Sequence, residues 1–301
     1  MPHTPRPTGP RARAANSTAV ETPIAAARSA APVIEEFPYP ESAFAAFSSV
    51  RAEPGSFLLE SALVDGRLGR YSFLGARPFL TITTKGRAIE LRERGTTVRL
   101  EGNPFRVLRD LLSRYRLERP AGAPPLLAGA VGYFGYDLRH FVERVPAQAV
   151  DDVPIPDCHL GFYDTLLAVD HVERRAWVVA ADFDGSRDRA AERLRRFREV
   201  LGRPVEDPVL TPVARPELVS NFTRPGYLAA IRRAKEYIAA GDIYQVNLSQ
   251  RFATPTPSAY DLYRRLREIN PAPFAAYFEV AGGPAAESIV ARPESLSGVR
   301  R

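Results

Sequence analysis

Apolar and polar positions alternate in short runs through the first half of the chain. Phe57-Leu-Leu-Glu-Ser-Ala-Leu63 and Tyr71-Ser-Phe-Leu74 read as strands split by an Asp65-Gly66 turn. Phe79 to Thr84 and Ala88 to Arg92 read as a hairpin closed by Lys85-Gly86. Ala130 to Phe134 is another apolar strand, and Gly129, Gly132 and Gly135 around it follow neither dinucleotide nor P-loop spacing, so close strand packing explains them. His159 to Val169 and Ala176 to Ala181 form the next strand pair, with Asp170-His171 at the turn. Two segments carry a helical period instead. Asn103 ahead of Pro104 marks a helix start, with Val107, Leu111 and Leu112 on the buried face and Tyr115 extending it. From Ser186 to a stop at Gly202, Ala190, Leu194, Phe197 and Leu201 recur at steps of 4, 3 and 4.

Gly202 to Asn221 carries Pro204, Pro208, Pro212 and Pro216, each of which fixes φ and removes a backbone donor; the stretch reads as a connector holding a domain boundary. Beyond it Thr223 caps a helix whose Tyr227, Ile231, Ala234 and Ile238 share one face and which Gly241 ends. Gly241-Asp-Ile-Tyr-Gln-Val-Asn-Leu-Ser-Gln-Arg-Phe252 then reads as a strand. One face presents Tyr244, Val246, Leu248 and Phe252, interrupted by Gln250; the other presents Gln245, Asn247, Ser249 and Arg251. Such a polar row either faces water or lines a pocket that orients a ligand, and pattern alone leaves both open. A last helix, Ser258 to Ile269 with Leu262, Leu266 and Ile269 inward, stops at the rigid corner Asn270-Pro-Ala-Pro-Phe274.

Composition narrows the class. The 301 residues are 45% hydrophobic and 25% charged, ordinary for a globular protein with one large or two modest cores. Net charge is +6, almost all of it arginine, with Lys85 and Lys235 the only lysines. The arginines are spread along helical faces without interleaved stacking aromatics, which argues against nucleic-acid binding. Cys158 is the only cysteine, so no internal disulfide can form, in keeping with a cytoplasmic setting. No apolar run approaches the roughly 18 residues that would span a membrane. Residues 1–36 are rich in Pro, Ala, Arg and Ser without an apolar signal core and read as a disordered tail. Asp151, Asp152, Asp157, Asp164 and Asp170 read as scaffold and surface rather than a metal cluster, and His140 and His171, without a Cys or Ser in nucleophile-triad context, as surface or hydrogen-bonded core histidines.

Gly241 to Phe252 and Asn270 to Phe274 resemble the two segments that open the chorismate-binding region of the anthranilate synthase and aminodeoxychorismate synthase component I family. Leu58-Leu-Glu-Ser61, Gly69-Arg-Tyr-Ser-Phe-Leu-Gly75, Gly132-Tyr-Phe-Gly-Tyr-Asp137, Pro156-Asp157 and Phe162-Tyr-Asp164 fall in the family's order, so the resemblance covers about residues 37–290. These leading motifs argue against isochorismate and salicylate synthases, which share only the later region. Tyr244-Gln-Val-Asn247 and Pro273-Phe-Ala-Ala276 are closer to the aminodeoxychorismate branch.

The resemblance implies an α+β fold of antiparallel sheets with helices packed outside, the leading and chorismate-binding regions sharing sheet edges. It divides the chain into a tail (1–36), a leading region (37–203), the Pro-rich connector (204–221) and the start of the chorismate-binding domain (222–301). It implies chorismate as substrate, Mg2+ as cofactor and a glutamine amidotransferase subunit as ammonia-supplying partner. The family's metal-binding glutamates, catalytic histidine and substrate-gripping Arg and Lys lie in later motifs that include Pro-Ile-Lys-Gly-Thr or Pro-Ile-Ala-Gly-Thr, neither of which occurs here. The expectation is therefore a chorismate-aminating subunit of para-aminobenzoate synthesis, inactive as it stands because a frameshift or premature stop, or a deliberately cut or incompletely predicted sequence, has removed its C-terminal half. The alternatives are anthranilate synthase component I of tryptophan synthesis and a non-catalytic amino-acid-binding or amidotransferase-docking remnant. Gln245, Asn247 and Ser249 would line one wall of the chorismate pocket. A tryptophan-type effector site would use Glu60, Ser61, Arg70, Tyr71, Pro273, Phe274 and Ala275, where Ser and Glu can hold an ammonium group and the rings can enclose an indole. The competing expectation is that these are ordinary strand and core residues.

Overall fold

The computed structural model describes residues 28–64, 68–146, 150–152, 155–203, 217–255, 258–280 and 287–291. The Asp65-Gly66 turn, most of the Pro-rich connector and the last ten residues lie outside them. The leading part runs β1 (Arg28–Ala30), β2 (Pro32–Phe37), α1 (Ala43–Ser48), β3 (Phe57–Glu60), β4 (Tyr71–Gly75), β5 (Leu80–Lys85), β6 (Ala88–Glu93) and β7 (Thr96–Glu101). It continues with α2 (Pro104–Arg114), β8 (Tyr115–Leu117), β9 (Gly129–Phe134), a 3-10 turn (Tyr136–Phe141), β10 (Cys158–Tyr163), β11 (Thr165–Asp170), β12 (Arg175–Ala181) and α3 (Arg187–Leu201). After the connector come β13 (Val219–Ser220), α4 (Arg224–Ala240), β14 (Phe252–Ala253), α5 (Ala259–Ile269), β15 (Ala275–Val280) and β16 (Glu287–Ala291).

Two antiparallel sheets organise these elements. Seven strands lie in the order β16-β15-β3-β4-β11-β12-β2, and five in the order β7-β6-β5-β10-β9. β15 pairs with β3, Ala275 opposite Glu60, so the region after the connector extends the sheet of the leading region, as expected. Strand alternation splits the larger sheet's side chains between two cores. Leu58, Leu74, Leu167, Val169, Val178 and Tyr277 meet α1, α3 and α5; Phe57, Leu59, Phe73, Ala168 and Phe278 face the opposite way, toward Val131 and Tyr163. A third core, with Ile82, Leu160 and Phe162, lies between the smaller sheet and Leu111 of α2.

The apolar run His159 to Val169, read as one strand, is two. β10 belongs to the smaller sheet and β11 to the larger, with Asp164 at the crossing, where its carboxylate meets Arg193 at 3.1 Å. Both strands are buried along their whole length, which is why hydrophobicity shows no break between them. Gly132 and Gly135 are packing glycines, since a Cβ would sit 2.0 Å from the His159 carbonyl oxygen and 2.7 Å from that of Asp157, whereas Gly129 has open space and is set apart by its φ of +133°. The expected tail ends sooner than residue 37, because Pro32–Phe37 pairs with β12.

Two helices turn out differently from their apolar periods. α4 buries no residue among those described, and Ile238 on its expected inner face is 46% exposed. α5 turns Tyr260 and Tyr263 inward and leaves Leu262, Leu266 and Ile269 exposed. The partners decide: Phe44 stacks on Tyr260 at 5.2 Å, Tyr277 lies 5.6 Å from Tyr263, and a buried carboxylate on β3 receives the Tyr263 hydroxyl. Large aromatic area and a satisfied hydroxyl outweigh the leucine stripe.

His159 sits inside the smaller sheet with Thr83 Oγ1 at 3.0 Å from Nδ1. Burial, with Arg92 adding repulsion, lowers its pKa to about 4. An unfolded histidine titrates near about 6.5. Between those values the unfolded chain binds a proton that the folded chain refuses. Its contribution is therefore complete above about pH 6.5 and falls as pH drops, by about 3 kcal/mol at the acid end. Urea midpoints should decline over this window more steeply for the wild type than for His159→Gln.

Candidate functional site

Of the predicted effector residues, Ser61, the Tyr71 backbone and Pro273 converge where β3 ends, flanked by β4 and β15. Ser61 is buried one residue beyond β3. Its amide donates to Ser72 Oγ at 2.9 Å, and its hydroxyl lies 2.7 Å from the Tyr71 carbonyl oxygen and 2.8 Å from that of Pro273. A hydroxyl has one hydrogen, so it can serve only one of these carbonyls fully at a time. Three oxygen acceptors thus meet with a single donor among them, an arrangement that suits a further N–H group. The proline corner is fastened alongside by the Ala62 and Leu63 amides, which both donate to the Ala272 carbonyl at 3.0 and 3.2 Å. Gly69 makes the close approach possible: its φ is +78°, and a Cβ there would stand 2.3 Å from the Leu63 carbonyl oxygen and 3.3 Å from Pro273 Cβ.

Glu60 does not join this cluster. Adjacent strand residues face opposite ways, and its buried carboxylate is taken by α5. Arg267 Nη2 lies 2.6 Å from Oε1, Arg267 Nε contacts both oxygens, and Tyr263 Oη donates to Oε2 at 2.8 Å. Burial and the nearby Glu60 charge push the Tyr263 hydroxyl well above the usual tyrosine range, so it stays a donor. Arg267 also lies over the Phe44 ring at 4.7 Å. The expected ammonium-holding role of Glu60 is thus replaced by a structural one, because its charge has already been neutralised from the helix side.

Arg70 and Tyr71 are divided between backbone and side chain. The Tyr71 carbonyl belongs to the Ser61 cluster, but both side chains line a cleft of about 530 Å3 with Arg119, Asp170, Arg175 and Trp177. Arg70 places Nε and Nη2 on Asp170 Oδ2, at 2.9 and 2.6 Å, and Nη2 also meets Glu173 at 2.7 Å. Burial raises the Asp170 carboxyl, but Arg70 and the amides of Val172 and Glu173 more than offset it and hold its pKa below the usual range. Arg70 is therefore engaged by carboxylates. Pro273 is half-buried and Ala275 buried, whereas the Phe274 ring is 55% exposed and encloses nothing.

Gln245, Asn247 and Ser249 form no strand face. Between Gly241 and Arg251 the chain has no sheet partner among the described residues, and only Phe252–Ala253 pairs, with Val219–Ser220. Without a neighbouring strand to take its amides and carbonyls, the alternating pattern stays solvated. All three polar residues are exposed, and Gln245 Nε2 meets Asn247 Oδ1 at 3.4 Å. Tyr244, at 94% exposure, and Val246, at 49%, are no better covered. Arg251 is held by Asp152 at 2.5 and 3.0 Å.

The candidate metal aspartates are each paired with a cation: Asp151 and Asp157 with Lys85, Asp152 with Arg251, Asp164 with Arg193 and Asp170 with Arg70. Among the described residues no three His, Cys, Asp or Glu side chains are placed to hold one ion, so no residue here is assigned to Mg2+. No helix among those residues is long and apolar enough to cross a membrane. His171, read as a surface or hydrogen-bonded core histidine, is hydrogen-bonded to Ser72 and Tyr39, whereas sequence reading missed Ser72, Tyr263 and Arg267. The 260, 263, 267 spacing of α5 carried the signal for the last two, masked by its leucines.

Residues 59–300 match the family described as chorismate binding enzyme. The chain is 34% identical over 265 residues to anthranilate synthase component 1 of Arthrobacter globiformis, a match covering 82% of this chain and 50% of that protein. It is 33% identical over 247 residues to aminodeoxychorismate synthase component 1 of Klebsiella aerogenes, covering 81% and 52%. Among solved structures it is similar to anthranilate synthase component I from Streptococcus pneumoniae TIGR4, with TM-score 0.57 and 22% identity over 72% of this chain and 51% of that one, a likeness of fold. The chain spans about half the length of the curated relatives it matches.

Removing Arg267 would leave the Glu60 charge buried and unpaired, at a cost of about 3–5 kcal/mol. Denaturant midpoints should show that loss for Arg267→Leu and a partial recovery when Glu60→Leu is added.

Proposed function

The chain belongs to the chorismate-binding enzyme family, and on that premise we propose that it is part of a chorismate-aminating synthase subunit, aminodeoxychorismate synthase component I. The observation that carries this reading is the joining of two distant motifs, Leu58-Leu-Glu-Ser61 and the 270–274 corner, through β3–β15 pairing and the Ser61–Pro273 contact. In such a reaction the chorismate ring hydroxyl leaves and an amine enters, with ammonia delivered by a glutamine amidotransferase partner. Mg2+ would neutralise the substrate carboxylate and the departing oxygen; no step of that kind is assigned to residues of this chain. Gln245, Asn247 and Ser249, as neutral donors and acceptors, would orient chorismate once a second wall covers them.

Tyr244-Gln-Val-Asn247 and Pro273-Phe-Ala-Ala276 favour the aminodeoxychorismate branch. Anthranilate synthase component I is the second reading, supported by the Arthrobacter globiformis relative. Beside the reaction we assign an amino-acid effector site of tryptophan type to Ser61 and the Tyr71 and Pro273 carbonyls; Ala275, opposite Glu60 in the helix-side core, is not part of it. The ligand ammonium would supply the donor that the three-oxygen cluster lacks, so Ser61→Ala should weaken binding.

The chain alone should leave chorismate unchanged when incubated with Mg2+ and ammonium. Joined to the later half of the Bacillus subtilis aminodeoxychorismate synthase component 1, it should form aminodeoxychorismate, identified by mass spectrometry. Anthranilate as product would move it to the other branch. A folded, silent chimera that still bound tryptophan in calorimetry would replace the catalytic reading with an amino-acid-binding one.

A further inference from the structure

Ser72 lies inside the larger sheet with no solvent exposure, and a buried hydroxyl needs a partner for its hydrogen. Two groups reach its Oγ among the described residues. The Ser61 amide arrives at 2.9 Å and can only donate; His171 Nε2 stands at 2.7 Å. The Ser72 hydrogen therefore goes to Nε2, which must be unprotonated. The imidazole proton then sits on Nδ1 and points at Tyr39 Oη, 3.1 Å away. The backbone beneath the ring is anchored, because the His171 amide donates to the Arg70 carbonyl at 2.8 Å. The hydrogens run in order from Ser61 N–H to Ser72 O–H to His171, and from His171 Nδ1–H to Tyr39.

We propose that His171, as the neutral Nδ1–H tautomer, is a positioning residue that fixes Ser72 and through it holds Ser61 in its ligand-binding geometry. The inference rests on the reading of Ser61 as part of an effector site. The charged groups facing it are Glu60 of β3, Asp170 of β11, and Arg174, which lies over the Tyr39 ring at 4.6 Å. Glu60 and Asp170 both favour a charged imidazole, although each is already paired, Glu60 with Arg267 and Asp170 with Arg70. Burial keeps the ring neutral, outweighing both acids and lowering its pKa. Proton uptake would turn Nε2 into a donor, strip the Ser72 hydrogen of its acceptor and loosen the Ser61 anchor.

Nitrogen NMR of the intact chain carrying 15N-labelled histidine should show Nε2 as an acceptor and Nδ1 as protonated at neutral pH; the opposite tautomer would overturn the proposal. Exchange of the Ser61 amide hydrogen should be slow in the wild type and in His171→Gln, whose amide can still accept from Ser72 and donate to Tyr39. It should be fast in His171→Leu, and equal protection there would overturn the assignment. Tryptophan affinity by calorimetry should fall roughly tenfold in His171→Leu, equivalent to about 1.4 kcal/mol, and stay within about threefold of wild type in His171→Gln. Affinity in the wild type should fall on acidification below the ordinary histidine range and be pH-independent over that range in His171→Gln. If the wild type ignores millimolar tryptophan, the effector reading fails, while the tautomer and Ser61 exchange still decide the role of His171. Should His171→Leu not fold, the wild-type tautomer and the pH profile of His171→Gln decide alone.

Discussion

The backbone ladder between β3 and β15 is the constraint on which the rest depends. It brings a strand near residue 60 beside one near residue 275, and the amides of Ala62 and Leu63 extend the attachment onto the proline corner. Without it Ser61 would have no Pro273 carbonyl beside it, and α5 would have no reason to present Arg267 to Glu60. The Leu58–Ser61 motif and the proline corner thus lie side by side because β15 and β16 extend the sheet of the leading region.

Two polar sets meet at this seam. Glu60, Tyr263 and Arg267 form a closed set on the helix side; Ser61, Ser72, His171 and Tyr39 form a directional chain beside it. A buried ion pair adds little net stability compared with apolar packing, but it penalises every arrangement in which one partner is missing. Here that penalty fixes the rotation of α5, against the preference of its own leucines.

Much of the fold was legible in local pattern. The early strands, the Lys85-Gly86 hairpin, the Asn103-Pro104 helix start and the Ser186 to Leu201 helix follow from period, caps and turn residues alone. The passage of β10 into β11 was hidden because both strands are buried on both sides, which erases alternation. β2 was hidden in a stretch whose composition resembles a tail, since Pro32 can open a strand whose neighbours supply the apolar contacts. Of the site, the meeting of Ser61 with Pro273 followed from the motif resemblance. The diversion of Glu60 to Arg267 did not, since strand alternation assigns a face but not a partner. The polar row at 245–251 alternates as a strand does, yet alternation is only a disposition until another strand lies alongside.

Glu60 and Ser61 are neighbours in sequence that serve opposite faces, so a slip of β3 by one position would send the carboxylate among carbonyls and the hydroxyl into the core. Register is set locally by β4 on one edge and, on the other, by β15, beside which the Ser61–Pro273 contact spans 212 positions along the chain. Closing so long a loop is entropically slow, and local structure precedes it. The Pro273 side of any pocket built on Ser61 therefore exists only where that distant contact has formed, and a ligand that needs it selects chains in which residues 61 and 273 have met.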